Sequence, residues 1–524
     1  MRGSPEGVFI IQRAGWGLYD WWSMPIQKFL LSILFCAVAL SSSASADVSL
    51  PTLLADHMVI QRGLPVHIWG KAAPGEAVNV TLGDDSTSTT ADSLGFWSVY
   101  LPPREAGGPF ELTVKGKNTI SLKDVLVGDV WVASGQSNME LPVSASANAD
   151  NEIAAATHPR IRLYRVKNNV ASYPLLDAEA EPWTPCTPET ARDFSAVAYF
   201  FGRNLEDKLA VPIGLIETAW GGTPADAWTS LRSISADASL MPVFAEWSRM
   251  NDDFAVSSLR REKQLDEWRQ AVEKAKAAGK EPPGFPWEPN ERGCWAPAGL
   301  FNAMIAPLTR YPIRGAIWYQ GESNAPAARA PLYARLFRTM IQDWRRAWGQ
   351  GDFPFLFVQL ANYRPGPDTK WPEVREAQRQ TLALAKTGMA VTIDIGDPAD
   401  IHPKNKQDVG ARLALAARAI EYGERVEYSG PLFRQATREG KAIRVWFDHA
   451  GGLAAKGGSL RGFEVAGADH KFVAAEARID GSTVIVSNSS VAEPRLARYG
   501  WSDDPGSNLY SAAGLPASPF RSEE

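Results

Sequence analysis

The sequence predicts an α/β fold, a parallel sheet flanked by helices, with small β domains on its N- and C-terminal sides. Three observations predict it. Short alternating strands broken by turns fill residues 47–124; apolar strands alternate with helical segments from about Val125 to Glu424; and short strands return after about Tyr428. The expected units are therefore a leader over 1–46, a β domain over 47–124, an α/β domain over 125–427 and a β module with a tail over 428–524.

The leader reads in two pieces. Residues 1–23 carry Trp16, Trp21 and Trp22 and fit no targeting pattern, so Met24 is the expected start. Lys28, the apolar run Phe29 to Leu40 and the small-x-small site Ala44-Ser45-Ala46 follow as in a signal peptide, which predicts export and a mature chain from Asp47. The run is too short to span a bilayer.

The first β domain is read from Pro65-Val-His-Ile-Trp-Gly, Ala77-Val-Asn-Val-Thr-Leu, Phe96-Trp-Ser-Val-Tyr-Leu and Phe110-Glu-Leu-Thr-Val. The sheet strands expected next are 129–133, 160–166, 212–219, 315–319, 354–360 and 389–395. Between them helices are expected over 195–209, 332–348, 373–385 and 404–422, the last from Val409, Leu413 and Ala416 near helical spacing. A charged helix followed by Lys280-Glu-Pro-Pro-Gly-Phe-Pro-Trp makes residues 243–293 an insertion over the sheet's edge or mouth. After Tyr428 come Ala442-Ile-Arg-Val-Trp-Phe, Phe463-Glu-Val-Ala and Thr483-Val-Ile-Val-Ser, then a tail from Arg498 to Phe520 expected to fold back on the α/β domain.

Composition excludes several functions. A net charge of -5 offers no basic footprint for nucleic acid. Once the leader and its Cys36 are removed, only Cys186 and Cys294 remain. Neither sits at metal-ligand spacing among the six histidines, so no metal or cofactor is expected.

Four strand exits carry the chemistry. The first, Gly128-Asp-Val-Trp-Val-Ala-Ser-Gly-Gln-Ser-Asn-Met, lifts Ser137 to where a strand ends and a helix begins. There a nucleophile's Oγ stands above the sheet edge beside backbone N–H groups that face a developing oxyanion. The second, Leu215-Ile-Glu-Thr-Ala-Trp-Gly-Gly-Thr-Pro, lets the backbone approach a ligand and makes Gly222 the candidate oxyanion donor. The third, Ala316-Ile-Trp-Tyr-Gln-Gly-Glu-Ser-Asn, brings Gln320, Glu322 and Asn324 to the same edge. Either amide is a candidate oxyanion donor, and Glu322 is read as orienting its neighbours. The fourth, Asp394-Ile-Gly-Asp-Pro-Ala-Asp-Ile-His-Pro, puts His402 in a loop at the mouth as general base, with Asp400 to fix the imidazole through Nδ1 and Asp397 as the fallback. His449 is the competing base. His57 and His67 are read as structural, without a carboxylate placed to use them, and His158 and His470 as surface residues.

Together these blocks resemble the SGNH hydrolases, and the whole set is similar to the sialate O-acetylesterase family. The resemblance runs through Ser134-Gly-Gln-Ser-Asn-Met, Phe194-Ser-Ala-Val-Ala-Tyr-Phe-Phe-Gly, Pro212-Ile-Gly-Leu-Ile, Trp220-Gly-Gly-Thr, Trp318-Tyr-Gln-Gly-Glu-Ser-Asn, Asp400-Ile-His-Pro, Tyr499-Gly-Trp and Gly514-Leu-Pro-Ala-Ser-Pro-Phe-Arg. It implies an SGNH-like sheet, a Ser137 nucleophile, a His402 base, and oxyanion donors at Gly222 and the Gln-Gly-Glu block. The implied substrate is an acetylated carbohydrate, with acetylated hemicellulose as the alternative to sialic acid. Two departures stand out: the residue three before His402 is Ala399 where many SGNH enzymes have Asp, and Gln320 stands where the superfamily uses Asn. Rival readings are a glycoside hydrolase using Glu322 with Asp226 or Asp397, and a non-catalytic carbohydrate-binding protein.

Overall fold

The computed structural model describes residues 47–252, 254–286 and 293–523. The leader and Trp287 lie outside them. Among the described residues no helix is long and apolar enough to cross a membrane.

The N-terminal strands are β1 (Val59–Gln61), β2 (Val66–Lys71), β3 (Ala77–Leu82), β4 (Asp85–Thr90), β5 (Phe96–Leu101) and β6 (Gly107–Lys115). Their polar/apolar alternation turns one face inward, as with Val78, Val80 and Leu82 of β3. The next strand, β7 (Thr119–Gly135), begins paired to β6 and ends at the centre of the large sheet. The border expected between residues 124 and 125 thus falls inside one strand. It is marked there by a single left-handed residue, Asp124 with φ 55. The Asp124 carboxylate is held by His57 Nδ1 at 2.7 Å and by Arg162 at 2.8 Å, so His57 does have an acid partner, contrary to the sequence reading.

The large sheet continues with β8 (His158–Val166), β9 (Ala180–Cys186), β10 (Ile213–Ala219), β11 (Gly315–Tyr319), β12 (Phe355–Val358) and β13 (Thr387–Ala390). Its order is β13-β12-β11-β7-β10-β8-β9, parallel throughout except for antiparallel β9 at the edge. The chain places β8 to β10 on one side of β7 and β11 to β13 on the other. The order therefore reverses at β7, and such a switch point opens a crevice at the carboxyl ends of the strands.

The helices that frame the sheet and its mouth include α1 (Ser137–Glu140), α2 (Ala196–Leu209), α3 (Met241–Asp252), α4 (Phe254–Ala277), α5 (Ala330–Trp348), α6 (Trp371–Thr381) and α7 (Lys406–Ile420). Strand alternation sorts them into two layers. Trp131, Ala133, Leu215, Ile317 and Leu356 meet Val197, Phe201, Leu205, Val409 and Leu413 of α2 and α7. Val130, Val132, Trp318, Phe355 and Phe357 meet Phe337, Met340, Trp344 and Val374 of α5 and α6.

Three readings of the sequence shift. The strand expected over 389–395 leaves the sheet after Ala390, because Arg412 takes the Val391 carbonyl at 2.5 Å and the Thr392 hydroxyl bonds the Gln359 carbonyl at 2.6 Å. Edge strand β9 is hidden in the sequence by Pro182 and Pro185, which an edge tolerates. The insertion is two helices, α3 and α4, rather than one. Beyond α7, strands 432–439, 442–448, 476–480 and 483–487 form an antiparallel sheet. The tail does return to the large sheet's unit: fully buried Arg375 donates to the carbonyls of Ser502 and Asp503 at 2.7 and 2.8 Å. Cys186 is a buried free thiol, so no bridge joins it to Cys294.

Candidate active site

At the switch point the chain is forced into a tight exit. Gly135 has φ 142, and a Cβ there would lie 2.1 Å from the Tyr319 carbonyl oxygen, so only glycine allows β7 to pass this close to β11. The Gln136 N–H then bonds that carbonyl at 3.0 Å, and α1 starts at Ser137. The next exit, after β10, is pinned by three bonds. Trp220 N–H reaches the Gly135 carbonyl at 3.1 Å, Gly221 N–H reaches Glu140 at 2.6 Å, and Trp295 Nε1 donates to the Gly222 carbonyl at 2.7 Å. Gly222 takes φ 73, a conformation that disfavours any side chain. Its N–H and that of Ser137 donate to no protein group among the described residues.

His402 arrives from the loop between β13 and α7. Its Nε2 lies 2.8 Å from Ser137 Oγ across a separation of 265 positions. Burial, then the nearby Lys406 ammonium, hold the imidazole below its usual pKa, and Asp400 opposes them. The pair therefore stands as neutral imidazole against hydroxyl at neutral pH, the arrangement in which the ring can accept the hydroxyl proton. Both side chains line a cavity of about 640 Å3 with Gln136, Glu140, Trp220, Gly222, Trp295, Glu322 and Ile401.

The other sequence-derived candidates divide. Gly222 and Glu322 line the cavity; Gln320, Asn324, Asp397 and Asp400 do not. Gln320 is a correction. It is fully buried below the floor, and its amide donates to the Thr223 carbonyl at 3.2 Å and to Asn324 Oδ1 at 2.7 Å, leaving no donor for the cavity. Asn324 accepts there and from the Ala225 N–H at 2.9 Å, bracing the second exit against the third. Asp400 is also corrected. Its carboxylate lies 4.0 Å from His402 Nδ1 and instead accepts the His402 backbone N–H at 2.8 Å, because two residues of separation close a turn rather than reach across the ring. Asp397 likewise caps its own turn by accepting the Ala399 N–H.

Of the residues in the rival assignments, Glu322 reaches the cavity and its proposed partners Asp226 and Asp397 do not. Asp226 is buried and bonded to Arg329 at 3.1 Å. His449 pairs with Glu427 at 2.6 Å in the C-terminal module, and His67 bonds the Arg310 carbonyl at 2.9 Å. His158, expected on the surface, is half-buried beside Glu206. With Glu206 and Asp207 it makes the group among the described residues whose spacing suits a metal. That group lies at the opening of β8 and the end of α2, away from the strand ends that carry Ser137.

Sequence reasoning passed over several residues here. Glu140 faces the cavity with its carboxyl pushed up by burial, and Gln136 lines it with an amide whose oxygen accepts the Gly321 and Ser323 N–H groups. Asn138 and Lys406 lie directly behind Ser137. The Gln136, Asn138 and Glu140 signals were available, since all three sit within four residues of the candidate nucleophile. Lys406 was not marked by anything but its place in a helix.

Comparison with known proteins gives the family of the chain. The family model described as carbohydrate esterase, sialic acid-specific acetylesterase, matches residues 127–240 and 287–419. The sialate O-acetylesterase of Mus musculus is 34% identical over 444 residues, 76% of this chain and 78% of that protein. The Homo sapiens sialate O-acetylesterase is 34% identical over 406 residues, 70% of this chain and 69% of that protein. Among solved structures, XAC1771, described as a novel carbohydrate acetylesterase from Xanthomonas citri, superposes with a TM-score of 0.78 at 38% identity, over 91% of this chain and 99% of that one.

Proposed function

The chain belongs to the sialic acid-specific acetylesterase family of carbohydrate esterases, and from that premise we propose that it removes acetyl groups from a sugar by a serine mechanism. Ser137 attacks the acetyl carbonyl while His402 Nε2 takes the hydroxyl proton. The imidazolium returns that proton to the departing sugar oxygen. Water, deprotonated by the same nitrogen, then attacks the acetyl-serine, and the imidazolium returns that proton to Ser137 Oγ as acetate leaves. The Ser137 and Gly222 N–H groups hold the oxyanion formed in each step.

The observation that carries this reading is the 2.8 Å approach of His402 Nε2 to Ser137 Oγ in a cavity beside two unspent N–H donors. The narrower substrate is sialate, following the names of the mammalian relatives; those names lend nothing to acetylated hemicellulose. Export rests on residues 24–46 alone, and the β units at 47–124 and 428–524 are read as flanks of a catalytic unit at 125–427.

In this reading Asp400 is a minor contributor. Its carboxylate is 46% exposed and 4.0 Å from the ring, so solvent screens most of its effect. Asp400→Asn is expected to lower kcat by less than about tenfold, against roughly 10⁴ where an aspartate bonds the imidazole directly. The carboxylate raises the His402 pKa, so its removal moves the acid limb of kcat/KM to lower pH. A 10⁴-fold loss in folded D400N would reinstate Asp400 as the orienting acid.

The test of the whole reading joins two measurements. A fluorophosphonate should attach to Ser137, located by peptide mass, and O-acetylated sialosides should release acetate without release of reducing sugar. A chain that stays unlabelled and releases no acetate is a binding protein; release of reducing sugar without acetate restores the glycosidase reading.

A further inference from the structure

Directly behind the nucleophile lies a buried polar chain that the proposed mechanism does not use. Lys406 is fully buried at the first turn of α7, a place that disfavours a cation twice, by desolvation and by the positive end of the helix dipole. Its Nζ donates to Asn138 Oδ1 at 2.5 Å and lies 5.2 Å from the centre of the Tyr319 ring. Asn138, next to Ser137 and 2% exposed, spends its amide N–H groups on Glu322 Oε1 at 2.6 Å and on the Ile401 carbonyl at 3.0 Å. The second Glu322 oxygen is buried without a well-formed hydrogen bond.

The direction of this chain matters. An ammonium that can only donate claims the amide oxygen of Asn138, so the amide nitrogen must face Glu322 and Ile401. Ile401 immediately precedes His402. One side chain thus ties the nucleophile's helix to the base's loop, and its orientation is dictated by a cation on one side and an acid on the other. The imidazole has no such support of its own, since Asp400 stands 4.0 Å from Nδ1.

We infer that Lys406, paired with Glu322 through Asn138, is a positioning residue that sets the His402 loop against Ser137. The inference rests on the serine-esterase reading above. Lys406 faces Glu322, Asp400, His402 and the Tyr319 ring. Burial brings its pKa down to about 7, against the opposing pull of Glu322 and then Asp400. As the pH falls below that value Lys406 carries charge beside His402 and keeps the imidazole neutral, so its removal lets the ring protonate at higher pH.

The experiment is Lys406→Met in the full chain, assayed on an aryl acetate over a pH series with the thermal transition recorded. Expected are a kcat lower by about 10²-fold, the usual result of a displacement near 1 Å in a reacting pair, a KM nearly unchanged, and an acid limb of kcat/KM moved to higher pH. A folded K406M with wild-type kcat and an unmoved limb overturns the inference. Should K406M not fold, isosteric Glu322→Gln reads the same point. Loss of the counter-charge leaves Lys406 neutral, and the limb again moves up; a folded E322Q with an unmoved limb overturns the inference equally. Ser137→Ala run alongside separates the two levels, because activity retained there removes the serine reading itself, whereas an inactive S137A beside an unperturbed K406M removes only the role of Lys406.

Discussion

Ser137→Ala is expected to reduce hydrolysis of an aryl acetate by about 10⁵- to 10⁶-fold in kcat, as in serine hydrolases that lose their nucleophile. The fold should not notice. Ser137 is half-buried, its Oγ bonds only His402, and the residue is the first of α1 rather than its cap, so no orphan N–H of the helix start loses a partner. The His402 side chain is 39% exposed, and water can take the place of the lost hydroxyl. Stability is therefore expected to change by no more than about 0.5 kcal/mol. Measured together, a silent assay and an unmoved thermal transition assign chemistry to this hydroxyl; an active variant would end the serine mechanism.

The fold was legible in the sequence because its signals are local and repetitive. Gly315-Ala-Ile-Trp-Tyr is strand β11 residue for residue, and Ser195 caps α2 where the helical spacing began, accepting the Ala198 N–H at 3.1 Å. The catalytic sheet came from apolar runs too short and too rich in branched residues for helices. Its antiparallel edge did not, because Glu181, Pro182 and Pro185 break the alternation that an inner strand would keep. The site was legible only as far as strand exits reveal it. A glycine pair or a serine after an apolar strand announces that a backbone turns there, which is a property of a few neighbours in sequence. Which donor remains unspent is a property of the assembled interior. Gln320 stood in a motif that promised an amide at the sheet edge, yet the fold gives both of its N–H groups to Thr223 and Asn324. Asp400 stood two residues before His402, and that closeness in sequence is what keeps it from the ring. Lys406 carried no sequence signal at all, since its meaning comes from Asn138 and Glu322, residues 268 and 84 positions away by numbering, folded against it.

His402→Ala is expected to cost nearly as much as Ser137→Ala, and the double variant no more than either, because a nucleophile and its base act as one unit and removing either removes the function of both. The pH profile adds a check that a simple loss of packing cannot mimic. Burial and Lys406 together hold the His402 pKa below 6.5, outweighing Asp400. The neutral ring is the active form, so kcat/KM should rise with pH through a midpoint below 6.5 and level off above it. In His402→Ala the residual rate, carried by the oxyanion donors and by hydroxide, should lack that limb and increase steadily with hydroxide concentration. A limb that persists in the variant would mean that another group titrates in its place. His449, 2.6 Å from Glu427, sits outside the cavity, so the persisting base would have to be sought among the cavity's own acids, Glu140 and Glu322, whose carboxyls burial has pushed upward. Glu140→Gln in the His402→Ala background would then decide between them: loss of the limb names Glu140, and its survival leaves Glu322 together with Lys406, whose charge it controls.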